Sequence, residues 1–219
     1  MNILAVDTCL DACSVAVCSD DAALAVLSET MSRGHQERLA PMAAEAMTRA
    51  GLAFAKLDRI AVTVGPGSFT GLRVGLAFAK GLALALGVPC VGVGVLEAMA
   101  LGVAPNGFVA AAIDAKRGQI YLQVFVDGHS AMAPDALAPE SAAARLAELW
   151  TGGPATLIGS GAALLDGVLP GARQIPAAAP DPLTVARLGL AARAPVPPPR
   201  PLYLRAPDAK MSQAMPAAS

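Results

Sequence analysis

The residues with the strongest claim to chemistry lie in GPGSFTGLRVG (65–75), a glycine-rich stretch between an apolar run, IAVTV, and a longer apolar-periodic one, LAFAKGLALALG. Gly65 and Gly67 permit backbone angles that a side chain forbids. Ser68 and Thr70 are good helix N-caps, and the free N–H groups of a helix start can hold an anion. The spacing rejects two familiar machines. No G-K-[ST] follows the glycines, so this is not a Walker loop. Ser68 is preceded by Pro-Gly and followed by Phe-Thr-Gly, so it is not the nucleophile of a G-x-S-x-G elbow. A serine nucleophile also needs a base, and the chain offers only His35 and His129. His35, in SRGHQER, precedes the first helix, and His129, in DGHS, reads as a loop residue. Neither has a His, Cys or carboxylate at a ligand spacing such as H-x-x-x-H. Cys9, Cys13, Cys18 and Cys90 stand four, five and seventy-two residues apart. That matches no common zinc pattern, and they read as small apolar residues in a reducing compartment. Asp7 and Asp114 each end an apolar strand. Turn chemistry explains an aspartate there; holding a magnesium–nucleotide is the alternative. Arg73 is either a solvated surface residue or a partner contact.

These residues need elements to position them. Residues 3–7, 14–19 and 23–29 alternate as a three-stranded meander. A helix follows in which Leu39, Met42, Ala43, Ala46, Met47 and Ala50 share one apolar face, with Pro41 in its first turn or kinking it and Gly51 as its stop. Residues 59–64 have the continuous apolar character of a buried parallel strand. The glycine-rich turn leads into a second helix ending at Gly87, then a strand at 90–95 and a short third helix. Residues 109–126 repeat the opening in outline, a strand ending in Asp114, a polar turn and a returning strand. Helices at 137–150 and 184–194, a strand at 155–159 and a second glycine turn at 159–161 complete the reading. PVPPPRP is an extended segment. The expected organisation is an N-terminal lobe over 1–104, a smaller C-terminal lobe over 105–205 and a frayed tail over 206–219.

The chain has 219 residues, 55% of them apolar and 15% charged, with a net charge of −1. Disorder is excluded for most of it, and no basic field exists to hold tRNA or DNA unaided. Mean hydropathy is +0.54, but the uncharged stretch 81–96 lies between Lys80 and Glu97 and contains Pro89, short of the roughly 20 apolar residues a membrane span needs. MNILAVDTCLD has no basic leader region and carries Asp7. The expectation is a cytoplasmic protein without a membrane segment. In the second helix Gly71, Gly75, Ala79 and Ala83 recur at i+4 as a ridge with little side-chain height. Mid-helix glycine costs about 1 kcal/mol relative to alanine, so something packs closely there: the chain's own helix or sheet, or another subunit.

Two half-domains that each open with an aspartate-tipped hairpin resemble the duplicated ribonuclease-H-like fold of actin, sugar kinases and chaperone ATPases, an α/β fold of two lobes. On that resemblance Asp7, Thr8, Gly65, Gly67, Ser68 and Asp114 occupy vestigial phosphate-loop positions. ILAVDT, GHQERLAPM, GPGSFTGLRVG, IDAKRGQIY (113–121) and PLYLR (201–205), in that order, resemble the TsaB (YeaZ) family over nearly the whole chain before the tail. The resemblance implies a non-catalytic scaffold that heterodimerises with the paralogue TsaD. Together with the ATPase TsaE it would support threonylcarbamoyl transfer to the adenosine beside the tRNA anticodon, with tRNA contacted only indirectly. TsaD binds metal through H-M-E-G-H; here VLEAM puts Val95 and Met99 where the histidines stand and keeps only Glu97. The resemblance therefore implies no catalytic residue, no metal and no cofactor. It places the partner, or a second copy in a homodimer, on the first two helices. The expected contact residues are His35, Leu39, Met42, Met47, Gly71, Leu72, Arg73, Gly75 and Ala79. Two other readings compete: a glycoprotease-like metal-dependent hydrolase, and a nucleotide-binding ATPase acting alone.

Overall fold

The structure is a computed structural model that describes residues 1–20, 22–103, 106–193 and 195–205. The expected tail at 206–219 lies outside the described residues. The first lobe is built from β1 (Asn2–Asp7), β2 (Ala12–Ser19), β3 (Ala22–Thr30), α1 (His35–Arg49), β4 (Arg59–Thr63), α2 (Phe69–Leu86), β5 (Cys90–Val93) and α3 (Val95–Val103). The second contains β6 (Phe108–Lys116), β7 (Gln119–Val126), β8 (His129–Leu137), α4 (Pro139–Leu149), β9 (Ala155–Ile158) and β10 (Arg173–Ile175), and α5 (Pro182–Ala191) follows.

The two sheets share one plan. Strand order is β3-β2-β1-β4-β5 in the first and β8-β7-β6-β9-β10 in the second. In each, the meander is antiparallel and the remaining strands run parallel to its first strand. The repeat is therefore complete in its strands, and the smaller size of the second lobe lies in its helices. After β9 the place taken by α2 in the first lobe holds only a 3₁₀ turn at Ala162–Leu165.

Two strands differ from the sequence reading. His129 opens β8 rather than lying in a loop. HSAMAPDAL contains Pro134 and lacks alternation, because β8 is an edge strand with register shifts against β7, a setting that tolerates proline. β10 is a three-residue edge, too short to show a period.

α1 and α2 cover one face of the first sheet. Leu39, Met42 and Met47 of α1 and Leu76 and Ala79 of α2 pack with Leu4, Val6, Val15, Ile60 and Val62. Burying each large apolar side chain contributes about 1.5–3 kcal/mol. The other face is covered by α5, whose Val185 and Ala186 meet Ile3, Ala5 and Ala61. The approach is close: a Cβ on Gly189 would sit 2.6 Å from Ala61 Cβ and 2.8 Å from Ile3 Cδ1. Arg59 secures this crossing. Its Nη1 donates to the carbonyls of Gly189 (2.6 Å), Leu190 (3.2 Å) and Ala192 (2.8 Å) at the C-terminal end of α5, where a cation is favoured. α5 therefore packs on the first sheet although it follows the second lobe in sequence. Beyond α5 the chain continues along the first lobe, with Pro199 filling the space over Gly92 and Leu202 N donating to Val64 O at 2.7 Å.

Candidate functional site: the interlobe cleft and the exposed helix pair

The glycine-rich turn is held by the backbone of β1 and its continuation. Ser68 N donates to Cys9 O at 2.7 Å. A Cβ on Gly67 would meet Cys9 O at 2.3 Å, one on Gly71 would meet Thr8 O at 2.0 Å, and one on Gly75 would meet Thr8 Oγ1 at 2.7 Å. Thr8 Oγ1 in turn donates to Gly71 O at 2.7 Å. Ser68 caps α2 through its side chain, which accepts from Gly71 N at 3.4 Å. The turn and the small-residue ridge thus seat α2 directly on the chain's own first strand.

That seating corrects the expected contact set. Met42, Met47, Leu72 and Ala79 are buried in the core, Gly71 and Gly75 lie against Thr8, and Leu39, also buried, forms the floor of the groove between the two helices. Of the nine residues expected at a partner surface, only Arg73 is exposed, and His35 is half-buried with Nε2 3.2 Å from Leu10 O. The faces left open carry other residues. A groove between the helices is lined by Gln36, Leu39, Ala40, Phe69, Thr70, Arg73, Val74, Ala77 and Phe78. Further along α2, Leu84 is 85% exposed and Gly81 has nothing within 4 Å of where its Cβ would be. The available signal was that FTGLRVGLAFAKGLALAL is apolar all round, which a one-sided surface helix is not. By length and composition α2 is also long and apolar enough to cross a membrane, contrary to the sequence expectation. It carries Arg73 and Lys80, and its Leu76, Ala79 and Ala83 lie in the core of the first lobe.

The vestigial phosphate positions separate into two groups. Asp7 and Thr8 are sealed beneath the turn, both 1% exposed. Asp7 Oδ1 accepts from Thr63 Oγ1 at 2.5 Å and from Cys9 N at 3.1 Å, while Oδ2 has no partner. Burial pushes the Asp7 pKa above its ordinary 3.8, and the Thr63 and Cys9 hydrogen bonds oppose that rise. Gly67, Ser68 and Asp114 line a cleft between the lobes with His35, Lys116, Ser160, Tyr203 and Arg205. Asp114 closes its own hairpin there, accepting from Lys116 N at 2.8 Å and pairing with Lys116 Nζ at 2.9 Å. The Lys116 contact holds its pKa below the ordinary carboxylate value. Ser68 Oγ is engaged in the helix cap, and among the described residues no histidine or carboxylate hydrogen-bonds to it.

Asp7 carries a testable sign. Its folded pKa exceeds its unfolded one, so the folded chain holds the proton more tightly. This contribution is complete below pH 3.8 and is lost as pH rises through the folded value. The stability difference between Asp7→Asn and the unmodified chain should therefore shift in favour of Asp7→Asn as pH rises from about 4 to 7. Urea midpoints across that range measure it; a gap independent of pH would refute the assignment. Glu97, whose pKa burial also raises, is present in both proteins and cancels.

VLEAM begins α3. Val95 and Met99 are buried among Leu96, Ile113 and Tyr121, and neither side chain suits a hard or borderline metal ion. Among the described residues no group of three or more His, Cys, Asp or Glu side chains converges to hold a metal.

The fold and this cleft define a two-lobed protein of the actin-like, duplicated ribonuclease-H class. The activator of 2-hydroxyisocaproyl-CoA dehydratase from Clostridium difficile matches at a TM-score of 0.52 and 6% identity over 86% of this chain and 94% of its own, a likeness of fold alone. A family model described as "TsaD: tRNA N6-adenosine threonylcarbamoyltransferase" matches residues 25–157. The tRNA threonylcarbamoyladenosine biosynthesis protein TsaB of Escherichia coli K12 is 43% identical over 124 residues, 55% of this chain and 53% of that protein. The solved structure of YeaZ from Pseudomonas aeruginosa superposes with a TM-score of 0.80 at 31% identity, covering 93% of this chain and 99% of that one. The chain spans about half the length of the curated relatives it matches. It belongs to the TsaB (YeaZ) family.

Proposed function

We propose that the chain is a non-catalytic subunit of tRNA threonylcarbamoyladenosine biosynthesis that docks on a TsaD paralogue through α1 and α2. The observation that carries this reading is the outward side of α2. Phe69, Ala77, Gly81 and Leu84 are exposed and, with the half-buried Val74 and Phe78, form an apolar strip beside α1, in which a Cβ on the mid-helix Gly81 would meet nothing within 4 Å. An exposed apolar strip of this kind marks a protein interface, and Gly81 lets a second helix approach closely. Without the paralogue the same strip pairs two copies of this chain. The likeness to TsaD-type sequences supports a related partner, because paralogues present matching helix pairs. A non-catalytic role is supported by the donor set, since Val95 and Met99 replace ligating side chains and Ser68 is used as a cap. TsaE joins through the assembled complex. With a net charge of −1, tRNA is reached through the partner.

Reconstitution tests this. TsaD paralogue, TsaE, tRNA, ATP and a threonylcarbamoyl donor should yield modified tRNA only when this chain is added, and the chain should co-elute with the paralogue. ATP turnover by the chain alone, well above background, would replace the scaffold reading with that of an independent ATPase.

A further inference from the structure

Arg73 stands where the α1–α2 groove meets the C-terminal strap at 199–205. Its Cζ lies 3.7 Å from the centroid of the Phe69 ring, and its Nε donates to Tyr203 Oη at 3.3 Å. The Phe69 and Tyr203 rings are 5.4 Å apart and tilted by 35°. The strap itself is fixed at both ends of this cluster. Leu202 N donates to Val64 O at 2.7 Å in the first lobe, and Arg205 Nη1 donates to Ala115 O at 3.2 Å in the second. The guanidinium is thus held on one face by an aromatic ring and at its Nε edge by a phenol. Among the described residues its Nη1 and Nη2 have no hydrogen-bond or ion-pair partner, and Arg73 is the only charged side chain lining the groove.

These facts restrict what can cover the groove. A guanidinium already stacked and braced has lost most of its freedom before any partner arrives, and its open edge is a planar fork matched to a carboxylate. The remaining lining is mostly apolar, from Ala40, Val74, Ala77 and Phe78, and once covered it excludes water. A cation left there unpaired would be strongly unfavourable. The apolar lining fits a protein surface rather than a nucleic acid backbone.

We propose that the partner docked on α1 and α2 presents an aspartate or glutamate that closes bidentately on Arg73, and that Tyr203 is the positioning residue that aims the guanidinium. This rests on the docking reading above and adds the chemistry of the partner at one point. It also gives the strap a role in recognition.

The test measures association with the TsaD paralogue at about 150 mM salt, with melting curves confirming that each variant is folded. Arg73→Glu should weaken binding about 100-fold. Arg73→Lys should weaken it about tenfold, because lysine neither stacks nor forks. Tyr203→Phe keeps the ring and removes the oxygen, and should weaken it about fivefold. A purely packing role for Arg73 would make Lys and Glu equivalent. Reversal of one acidic residue on the partner to arginine should restore binding to Arg73→Glu. Gly81→Trp blocks the strip away from Arg73 and separates the two readings. Loss with Gly81→Trp but normal binding by Arg73→Glu would overturn the carboxylate and leave docking intact; normal binding by both would overturn both. Loss of tRNA binding by Arg73→Glu with unchanged paralogue binding would also overturn it, in favour of a phosphate.

Discussion

Gly71→Val is expected to leave little folded protein. Even alanine at this position would place a Cβ 2.0 Å from the carbonyl oxygen of Thr8 and 3.1 Å from its carbon. Those atoms are backbone and cannot swing aside as a side chain would. α2 would have to lift from β1, breaking the Thr8–Gly71 hydrogen bond and loosening Leu72, Leu76 and Ala79, all buried. Overpacking of this kind costs about 3 kcal/mol, the lost hydrogen bond about 1 more, against a typical net stability of about 5–15. Gly71→Ala should lower the denaturation midpoint sharply, and Gly71→Val should abolish the cooperative transition. Gly81→Ala is the internal control. It lies on the same helix but faces open space, so alanine should raise stability by up to about 1 kcal/mol through helix propensity alone. A Gly71→Val protein that melts like the unmodified chain would mean that α2 is not seated as described.

The second large effect is on association. Gly81→Trp should fold with a stability within about 0.5 kcal/mol of the unmodified chain, as exposed substitutions do. It should nonetheless lose affinity for the TsaD paralogue by about 100-fold, the scale of a central interface residue. The proposed self-pairing should be lost as well, so the variant should stay monomeric at concentrations where that pairing would dimerise the unmodified chain. Sedimentation and titration calorimetry read both. Unchanged affinity would move the interface off α2.

The two glycines show how far the sequence could be read. The meander, the strand at 59–64 and the duplicated opening were legible because strands with one or both faces buried carry their pattern locally. The strands β8 and β10 were not, since β8 carries Pro134 and register shifts against β7 and β10 has only three residues. In α2 the small-residue ridge was visible and its direction was not. A helix apolar on all sides has no phase, and both the Gly71 line and the Gly81 line are small enough for close packing. Only the backbone of Thr8, sixty-three residues away, decides which faces inward. Asp7 followed the same logic. Its strand-end position left turn chemistry and magnesium–nucleotide binding open, and the seating of α2 sealed it under the turn. Arg73 was the expected contact residue that stayed on the surface, while Phe69, Val74, Ala77, Phe78 and Gly81 carried no separate signal in a helix apolar on all sides.

The return of α5 to the first sheet has a consequence for biosynthesis. Ile3, Ala5 and Ala61 are made early, but the helix that covers them begins at Pro182. At roughly 5–20 residues per second, a ribosome needs several seconds to make the intervening second lobe. During that interval one side of the nascent sheet faces water. The N-terminal half cannot reach its final stability while it is still being followed out of the tunnel, and Arg59 waits, without its three carbonyls, for the last helix to arrive.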